Sequence, residues 1–279
     1  MFSAGASTRM RMNVLMLTAA FVLPPVAKTQ TPPLAGIAHV AFRVSDLGKS
    51  RDFYKQLGFE QAFEFADGGK TTVSFIKLND RQFIELYPRT EGSQPLGLMH
   101  VCYESTDVLT VHDAYAKRDL NPSEVKKARA GNLLFVLHDP EAQLVEYTQY
   151  EPGSVHSLDR GKHLGKEQIS QRLIGATLPV RDVTAERAFY VEKLGFASTA
   201  PAGFSLQLPG DSGDAIEVEP AQSAPGITFL VDDPKRSAKA LRHRDFTVQA
   251  GHHAVSVTDP DGVRVVFQQD GMTRRSSLR

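Results

Sequence analysis

The stretch Gly36–Tyr54, GIAHVAFRVSDLGKSRDFY, carries the first side chains in this chain with evident chemical potential. Successive side chains of a strand alternate between faces, so Ile37, His39, Ala41 and Arg43 share one face. His39 is a metal-capable imidazole on a face that otherwise reads as buried. Arg43, four residues along, can clamp a carboxylate through two parallel hydrogen bonds or close a salt bridge to an acid at the rim. Cys102 is the only cysteine, so there is no intrachain disulfide and no thiolate zinc cluster, and any metal must be held by nitrogen and oxygen.

These groups need a frame, and the following residues supply one. Asp46 is placed to accept hydrogen bonds from the first free N–H groups of a helix. Phe53, Tyr54 and Leu57 form its buried stripe and Gly58 ends it. Strands are predicted over Phe59–Phe65, Thr71–Leu78 and Arg81–Tyr87, broken at Gly68-Gly69 and Asn79-Asp80. The unit is β-α-β-β-β. A second follows: strand Gly97–Glu104, helix Asp107–Leu120 stopped by Asn121-Pro122, then strands near Glu124–Ala130, at Leu133–His138 and at Gln143–Gln149.

From Glu151 to Ser170 the composition shifts to Gly, Ser, Lys and His with little periodicity, which marks a linker. The pattern then restarts with strand Leu173–Val180 and a helix capped by Asp182 and running to Leu194-Gly195-Phe196. The third unit closes at Gly213–Glu219. A fourth runs from Gly226 through a helix at Pro234–His243, and its Asp259-Pro260 turn echoes Asp139-Pro140. Asp46 and Tyr54 recur as Asp182 and Tyr190, 136 positions later, and Leu57-Gly58-Phe59 recurs 137 positions later. Four copies of one supersecondary unit are a stronger fold signal than any single element.

Composition narrows the function classes. With 279 residues the chain suits two domains, 32 basic against 32 acidic residues leave no net charge, and nothing suggests a nucleic-acid or membrane surface. Residues 1–35 read as a signal peptide and spacer. Arg9 and Arg11 form a basic segment, Val14–Leu23 an apolar run too short to span a bilayer, and Ala27 precedes a cleavage site. That leader predicts a periplasmic or secreted protein; without cleavage, or with a start at Met10 or Met12, the protein stays in the cytoplasm. The expected organisation is then a first domain over 36–150, a linker over 151–170, a second domain over 171–270 and a tail over 271–279.

A tandem β-α-β-β-β repeat that opens with HVAFRVSD…FY…LGF and closes with DPEAQLVEY resembles the vicinal oxygen chelate superfamily. Glyoxalase I, methylmalonyl-CoA epimerase, extradiol dioxygenases and the fosfomycin and bleomycin resistance proteins belong to it. The resemblance covers almost everything after Gly36. It implies an α+β fold in which modules pair into cup-shaped, eight-stranded mixed sheets with helices outside, here two such sheets. It also implies one divalent metal ion (Zn, Ni, Co, Mn or Fe(II)), held in the cup by the first and last strands of two modules.

Carried over position by position, the resemblance implies the ligands His39 and Glu85 from the first module and His100 and Glu146 from the second. The separations 85 − 39 and 146 − 100 are both 46, which places the four side chains at equivalent points of a two-fold arrangement. Imidazole and carboxylate ligands suit a divalent first-row metal with positions left for water or substrate. In the second half the matching positions are Gly175, Glu217, Thr228 and Val266, so one candidate ligand survives and the site is degenerate. The glutamates there and His252-His253 read as surface.

Other residues carry less. Arg43 matches the arginine at which glyoxalase I holds the glutathione tail, whereas Leu96 stands where that enzyme has a basic residue. Cys102 faces inward as a small packing residue. His112, His156 and His163 read as solvated, and His138 as a turn-edge residue. Two opposed glutamates on one metal suit proton transfer next to a carbonyl, so the resemblance implies a metal-dependent lyase or isomerase of glyoxalase type, with Glu85 and Glu146 catalytic and Arg43 binding substrate. An extradiol-type dioxygenase, which needs two His and one carboxylate, stays open. So does a non-catalytic small-molecule binding or resistance protein, though such proteins lack these ligands. The partner is a small molecule, and the tandem modules are compatible with a monomer.

Overall fold

The computed structural model describes residues 31–198, 204–251 and 253–269, together with Met1. The leader segment from Arg9 to Ala27 and the tail at 271–279 lie outside the described residues. No helix among the described residues is long and apolar enough to cross a membrane.

Each repeat folds as its sequence pattern requires. The first contains β1 (Gly36–Val44), α1 (Leu47–Gln56), β2 (Glu60–Asp67), β3 (Lys70–Lys77) and β4 (Phe83–Pro88). The second contains β5 (Gly97–Glu104), α2 (Val108–Ala116), β6 (Lys126–Lys127), β7 (Leu133–His138) and β8 (Leu144–Gln149). A short helix α3 (Val155–Leu158) leads to β9 (Leu173–Val180), α4 (Val183–Ala188), which runs on as a π-helical turn over Phe189–Lys193, β10 (Ala197–Ser198), β11 (Ser205–Gln207) and β12 (Ala215–Pro220). The last unit is β13 (Gly226–Leu230), α5 (Pro234–His243), β14 (Gln249–Ala250), β15 (Ala254–Thr258) and β16 (Arg264–Gln268). The main helix of every unit starts at an aspartate. Asp46, Asp107, Asp182 and Asp233 each accept a hydrogen bond from a first-turn N–H, at 3.1, 3.0, 3.0 and 2.8 Å.

The strands form two mixed eight-stranded sheets that do not close, ordered β2-β3-β4-β1-β5-β8-β7-β6 and β10-β11-β12-β9-β13-β16-β15-β14. In each half-sheet the first and last strands of a module are parallel neighbours, and the two modules join through an antiparallel pair, β1 with β5 and β9 with β13. The first and last strands of both modules therefore occupy the centre of each sheet, whatever the lengths of the outer hairpins.

The helix-bearing faces of the two sheets share one hydrophobic core. Each half supplies its Leu-Gly-Phe turn to the other: Phe59 stacks on Phe229 with ring centroids 5.3 Å apart, and Phe196 meets Tyr103 edge-on at 5.4 Å. Gly58 has φ +96°, and a Cβ there would collide with the Glu167 carbonyl, so this turn requires glycine. Gln82 completes the seam by donating to the Leu173 carbonyl at 2.8 Å while accepting from the Leu173 N–H at 3.0 Å.

Several expectations need correction. The strand near Glu124–Ala130 shrinks to Lys126–Lys127, the α2 helix ends at Ala116, and the helix capped by Asp182 changes pitch at Phe189. Glu186, among the glutamates read as surface, is fully buried at the seam and accepts from the Glu141 N–H at 3.1 Å. Burial pushes its carboxyl up to about 8.

Candidate metal centre

The equal 46-residue spacing reappears as one register used twice. Ala41 lies opposite Glu85 in the parallel β1–β4 pair, and Cys102 lies opposite Glu146 in the parallel β5–β8 pair. Across the antiparallel β1–β5 pair, His39 faces Cys102 and Ala41 faces His100. A two-fold operation through that pair exchanges His39 with His100 and Glu85 with Glu146. All four side chains rise from the concave face of the first sheet.

They converge. The Nε2 atoms of His39 and His100 are 3.1 Å apart, and His39 Nε2 is 3.5 Å from Glu85 Oε1 and 3.5 Å from Glu146 Oε1. Donor atoms about 2.0–2.2 Å from one central ion stand roughly 3.0–3.5 Å from each other, which is the spacing found here. Burial holds both imidazoles neutral, with His39 lowered to about 3 and His100 to about 4, so their ring nitrogens remain ligands well below neutrality. Burial also raises both carboxyls, Glu146 to about 8 with further upward pressure from the charge of Glu85. Two buried carboxylates with neutral imidazoles lack a compensating cation of their own, and a divalent ion supplies it. His39, Glu85 and His100 form one group that fits a divalent metal ion, and Glu146 joins it through His39.

Two neighbours and a cavity complete the centre. Tyr87, two residues after Glu85 on the same strand face, donates its hydroxyl to Glu85 Oε2 at 2.7 Å. Cys102 is fully buried, and desolvation together with Glu146 raises its thiol well above the usual range, which keeps it protonated. It also lies close enough to His39 and Glu146 to form an alternative three-residue ligand group. His39, Glu85 and Glu146 open onto a cavity of about 230 Å³ whose walls include Phe65, Val73, Phe75, Tyr87, Leu134 and Tyr150.

The remaining sequence candidates fall elsewhere. Arg43 shares the strand face but does not line this cavity; its guanidinium donates to the Pro95 carbonyl at 3.1 Å. His138 is exposed at the end of β7. Two of the three histidines read as solvated are corrected outright. His112 is half-buried, edge-on to Phe135 at 5.3 Å. His156 is 5% exposed and lines the cavity with His39. The third, His163, remains partly open but pairs with Asp159 at 2.6 Å. Tyr87 was findable from strand alternation alone, whereas nothing local to His156 signals its place.

The second sheet has no equivalent centre among its described residues. Gly175 and Glu217 do match His39 and Glu85 in register, but the residue equivalent to His100 is Gly226, and Thr228 matches Cys102. Sequence spacing misses this because the β1–β5 ladder is shifted between Ala41 and Phe42. Glu217 is half-buried rather than surface, and accepts from the Thr177 hydroxyl at 3.3 Å.

Comparison with known proteins agrees with this architecture. The model of the Glyoxalase/Bleomycin resistance protein/Dioxygenase superfamily matches residues 36–147. Among curated protein sequences, none matches this chain. Solved structures of the same fold include the Mn(II)-bound glyoxalase from Novosphingobium aromaticivorans, at 17% identity and TM-score 0.65 over 85% of this chain and 82% of that one. They include the 2,3-dioxygenase LapB from Pseudomonas sp. KL28, at 15% identity and TM-score 0.65 over 86% and 94%. Homoprotocatechuate 2,3-dioxygenase from Arthrobacter globiformis aligns at 17% identity and TM-score 0.59 over 86% and 81%. The first domain, with its twice-used register and its cup of two histidines and two glutamates, thus matches the model of the Glyoxalase/Bleomycin resistance protein/Dioxygenase superfamily over residues 36–147, and the second sheet repeats its strand order.

Proposed function

We propose that the protein is a metal-dependent lyase or isomerase of glyoxalase type, which moves a proton on a substrate chelated through adjacent oxygens. The observation that supports this most is the pairing of two carboxylates, one from each repeat, around two neutral imidazoles. A divalent ion bound there supplies stabilisation of negative charge developing on the substrate's oxygens. The protein's own groups divide the remaining work. Tyr87 holds one oxygen of Glu85 in place. Glu146 meets the weak donor of the Cys102 thiol in place of a hydroxyl and is the more open of the two, with its side chain 14% exposed against 7%. Glu146 therefore takes the proton beside the carbonyl and returns it at the neighbouring carbon, while Glu85 stays fixed. The aromatic walls keep water from the carbanion-like centre.

The experiment is a dioxygen electrode run on the metal-loaded protein with thiol hemithioacetals of 2-oxoaldehydes and, separately, with catechols. Turnover without dioxygen uptake, reduced about 10²–10⁴-fold by Glu146→Gln with metal retained, is the expected result. Dioxygen consumed in step with a catechol overturns it. That second reading has its own support: His39, His100 and Glu146 alone make a two-histidine, one-carboxylate set, and Tyr87 already engages one oxygen of Glu85. The leader supports export, and N-terminal sequencing of the native protein should find a start just after Ala27 or a few residues later.

A further inference from the structure

The cavity beside the metal centre has a volume of about 230 Å³, and Phe65, Val73, Phe75 and Leu134 form its apolar walls. An apolar cavity of about 150 Å³ holds benzene, so this one takes a single ring and a few further atoms. Two features bound it. The segment between the domains lies against it: Lys77, fully buried on β3, donates to the Asp159 carbonyl at 2.6 Å and pairs with its carboxylate at 2.9 Å, and His156 stands edge-on to Phe83 at 4.8 Å. On the open side of the sheet, Arg129, just after β6, donates to the Ala66 carbonyl on β2 at 3.0 Å and pairs with Asp67 at 3.0 Å. Its guanidinium lies over the Phe65 ring, 4.7 Å from the centroid. The two edge strands of the first sheet, β2 and β6, are thereby bridged beside the cavity.

The polar groups on these walls are engaged within the protein. The Tyr150 hydroxyl donates to the Arg81 carbonyl at 2.9 Å, the Thr148 hydroxyl to the Leu133 carbonyl at 3.2 Å and the Tyr87 hydroxyl to Glu85 at 2.7 Å. Asn132 meets His156 Nδ1 at 2.9 Å and accepts from the Glu151 N–H at 3.4 Å. The other ring nitrogen of His156 is enclosed by the protein. Arg129 is the one Lys or Arg among the described lining residues, and Asp67 neutralises it. Arg43, the sequence candidate for binding an anionic group, is spent on the Pro95 carbonyl outside the cavity. An anionic or amide-rich body placed here would give up water to walls whose donors are engaged elsewhere, whereas hydrocarbon gains from the same burial.

We propose that the substrate is a compact molecule with two adjacent oxygens at one end and an uncharged body, a single ring or a branched hydrocarbon, at the other. Peptide-tailed thiol adducts, those of glutathione included, fall outside this class. The inference rests on the metal-chelate reading above and narrows it. The paired oxygens answer the metal centre, the hydrocarbon answers the apolar walls, and the limit on size answers the cavity volume. Leu134, half-buried on β7, lines the cavity without belonging to the core between the sheets, so its size can be changed with little effect on the fold.

Hydroxamates test this with one chelating head and different bodies. The full chain is loaded with Zn(II) and titrated calorimetrically with acetohydroxamate, benzohydroxamate, 4-carboxybenzohydroxamate and a glutathione-tailed aryl hydroxamate, and retained metal is measured after each. Benzohydroxamate should bind about tenfold or more tighter than acetohydroxamate through burial of its ring, and the carboxylated and tailed compounds should lose that gain. Leu134→Trp, which fills part of the cavity, and Leu134→Ala, which removes part of its wall, should each shrink the preference for the ring while acetohydroxamate binds as in wild type. Equal affinity for acetohydroxamate and benzohydroxamate in wild type, or tighter binding of the carboxylated or tailed compound, overturns the substrate class and leaves the metal-chelate reading standing. A ring preference unchanged in both Leu134 variants places the ring outside this cavity and overturns the class as well. A Zn(II)-loaded wild type that binds none of the four overturns the metal-chelate reading, and the class with it.

Discussion

The Nε2 atoms of His39 and His100 lie 3.1 Å apart although the two residues belong to different repeats and are separated by 61 positions. Their contact follows from register: each stands two residues before the one that faces the glutamate of its own module. Neither imidazole is placed by a loop. The rings descend from the two central strands of a sheet, so the centre is as rigid as the ladder that carries it.

Metal binding should be coupled to pH through the carboxyls and not through the imidazoles. In the metal-free fold Glu146 keeps its proton up to about 8, whereas His39 and His100 are neutral down to about 3 and 4. The ion must displace the carboxyl proton, so affinity should rise about tenfold per pH unit from roughly pH 6 to 8 and level above that. Calorimetric titration across that range checks the slope, and a flat profile contradicts it.

The same groups set the stability of the metal-free protein. Between about pH 4.5 and 8 the folded chain holds a proton on Glu146 that the unfolded chain has lost, so stability falls as pH rises through that window. Below about pH 6.5 the unfolded chain protonates histidines that the fold keeps neutral, His156 at about 3 included, so stability falls again towards acid. Thermal midpoints of the metal-free protein should therefore peak near pH 6.5–7 as far as these groups govern them, since three histidines outweigh one glutamate below that, and saturating metal should flatten the alkaline side. A midpoint that rises steadily from pH 5 to 8 without metal is the contrary result.

Tyr87→Phe removes the hydroxyl that orients Glu85 at 2.7 Å. Loss of such an outer partner typically costs about 10–100-fold in metal affinity or activity, and the substitution leaves the ring packing in place. Competition with a chromophoric chelator reads the affinity directly, and an unchanged value would mean that Glu85 is positioned without Tyr87.

Lys77→Met tests the clamp on the interdomain segment. It leaves the Asp159 carboxylate, 8% exposed, without its buried cation, and breaking such a pair typically costs about 3–5 kcal/mol. Urea unfolding should report a loss of that size, and amide exchange should quicken over residues 154–163. A cost below about 1 kcal/mol would show the segment to be held by its other contacts.

Most of the frame was legible in the sequence because it is periodic. Strand alternation, four aspartate caps and the recurrent Leu-Gly-Phe turn are local signals, and the equal spacing of His39–Glu85 and His100–Glu146 becomes equal register. What the sequence hid was not local. The equivalence of Gly226 with His100 depends on a ladder shift, and ladder shifts leave no mark in composition. His156 lies in a stretch of Gly, Ser and Lys that reads as linker, and long-range bonds, among them the buried Lys77–Asp159 pair 82 residues apart in sequence and the Asn132–His156 contact, draw it into the cavity. Glu186 looked solvated because its polar partner, the Glu141 N–H, comes from the other domain.

The central claim is one divalent ion held by His39, Glu85, His100 and Glu146. Crystals of the full chain grown with Mn(II) and measured above and below the manganese absorption edge locate the ion without reference to any substrate. The account predicts a single anomalous peak per chain, bounded by the two Nε2 atoms and the two carboxylates, and its disappearance in His100→Ala. A peak beside Glu217 in the second sheet, a peak that Cys102 ligates in place of Glu85, or none in the first cup, contradicts it.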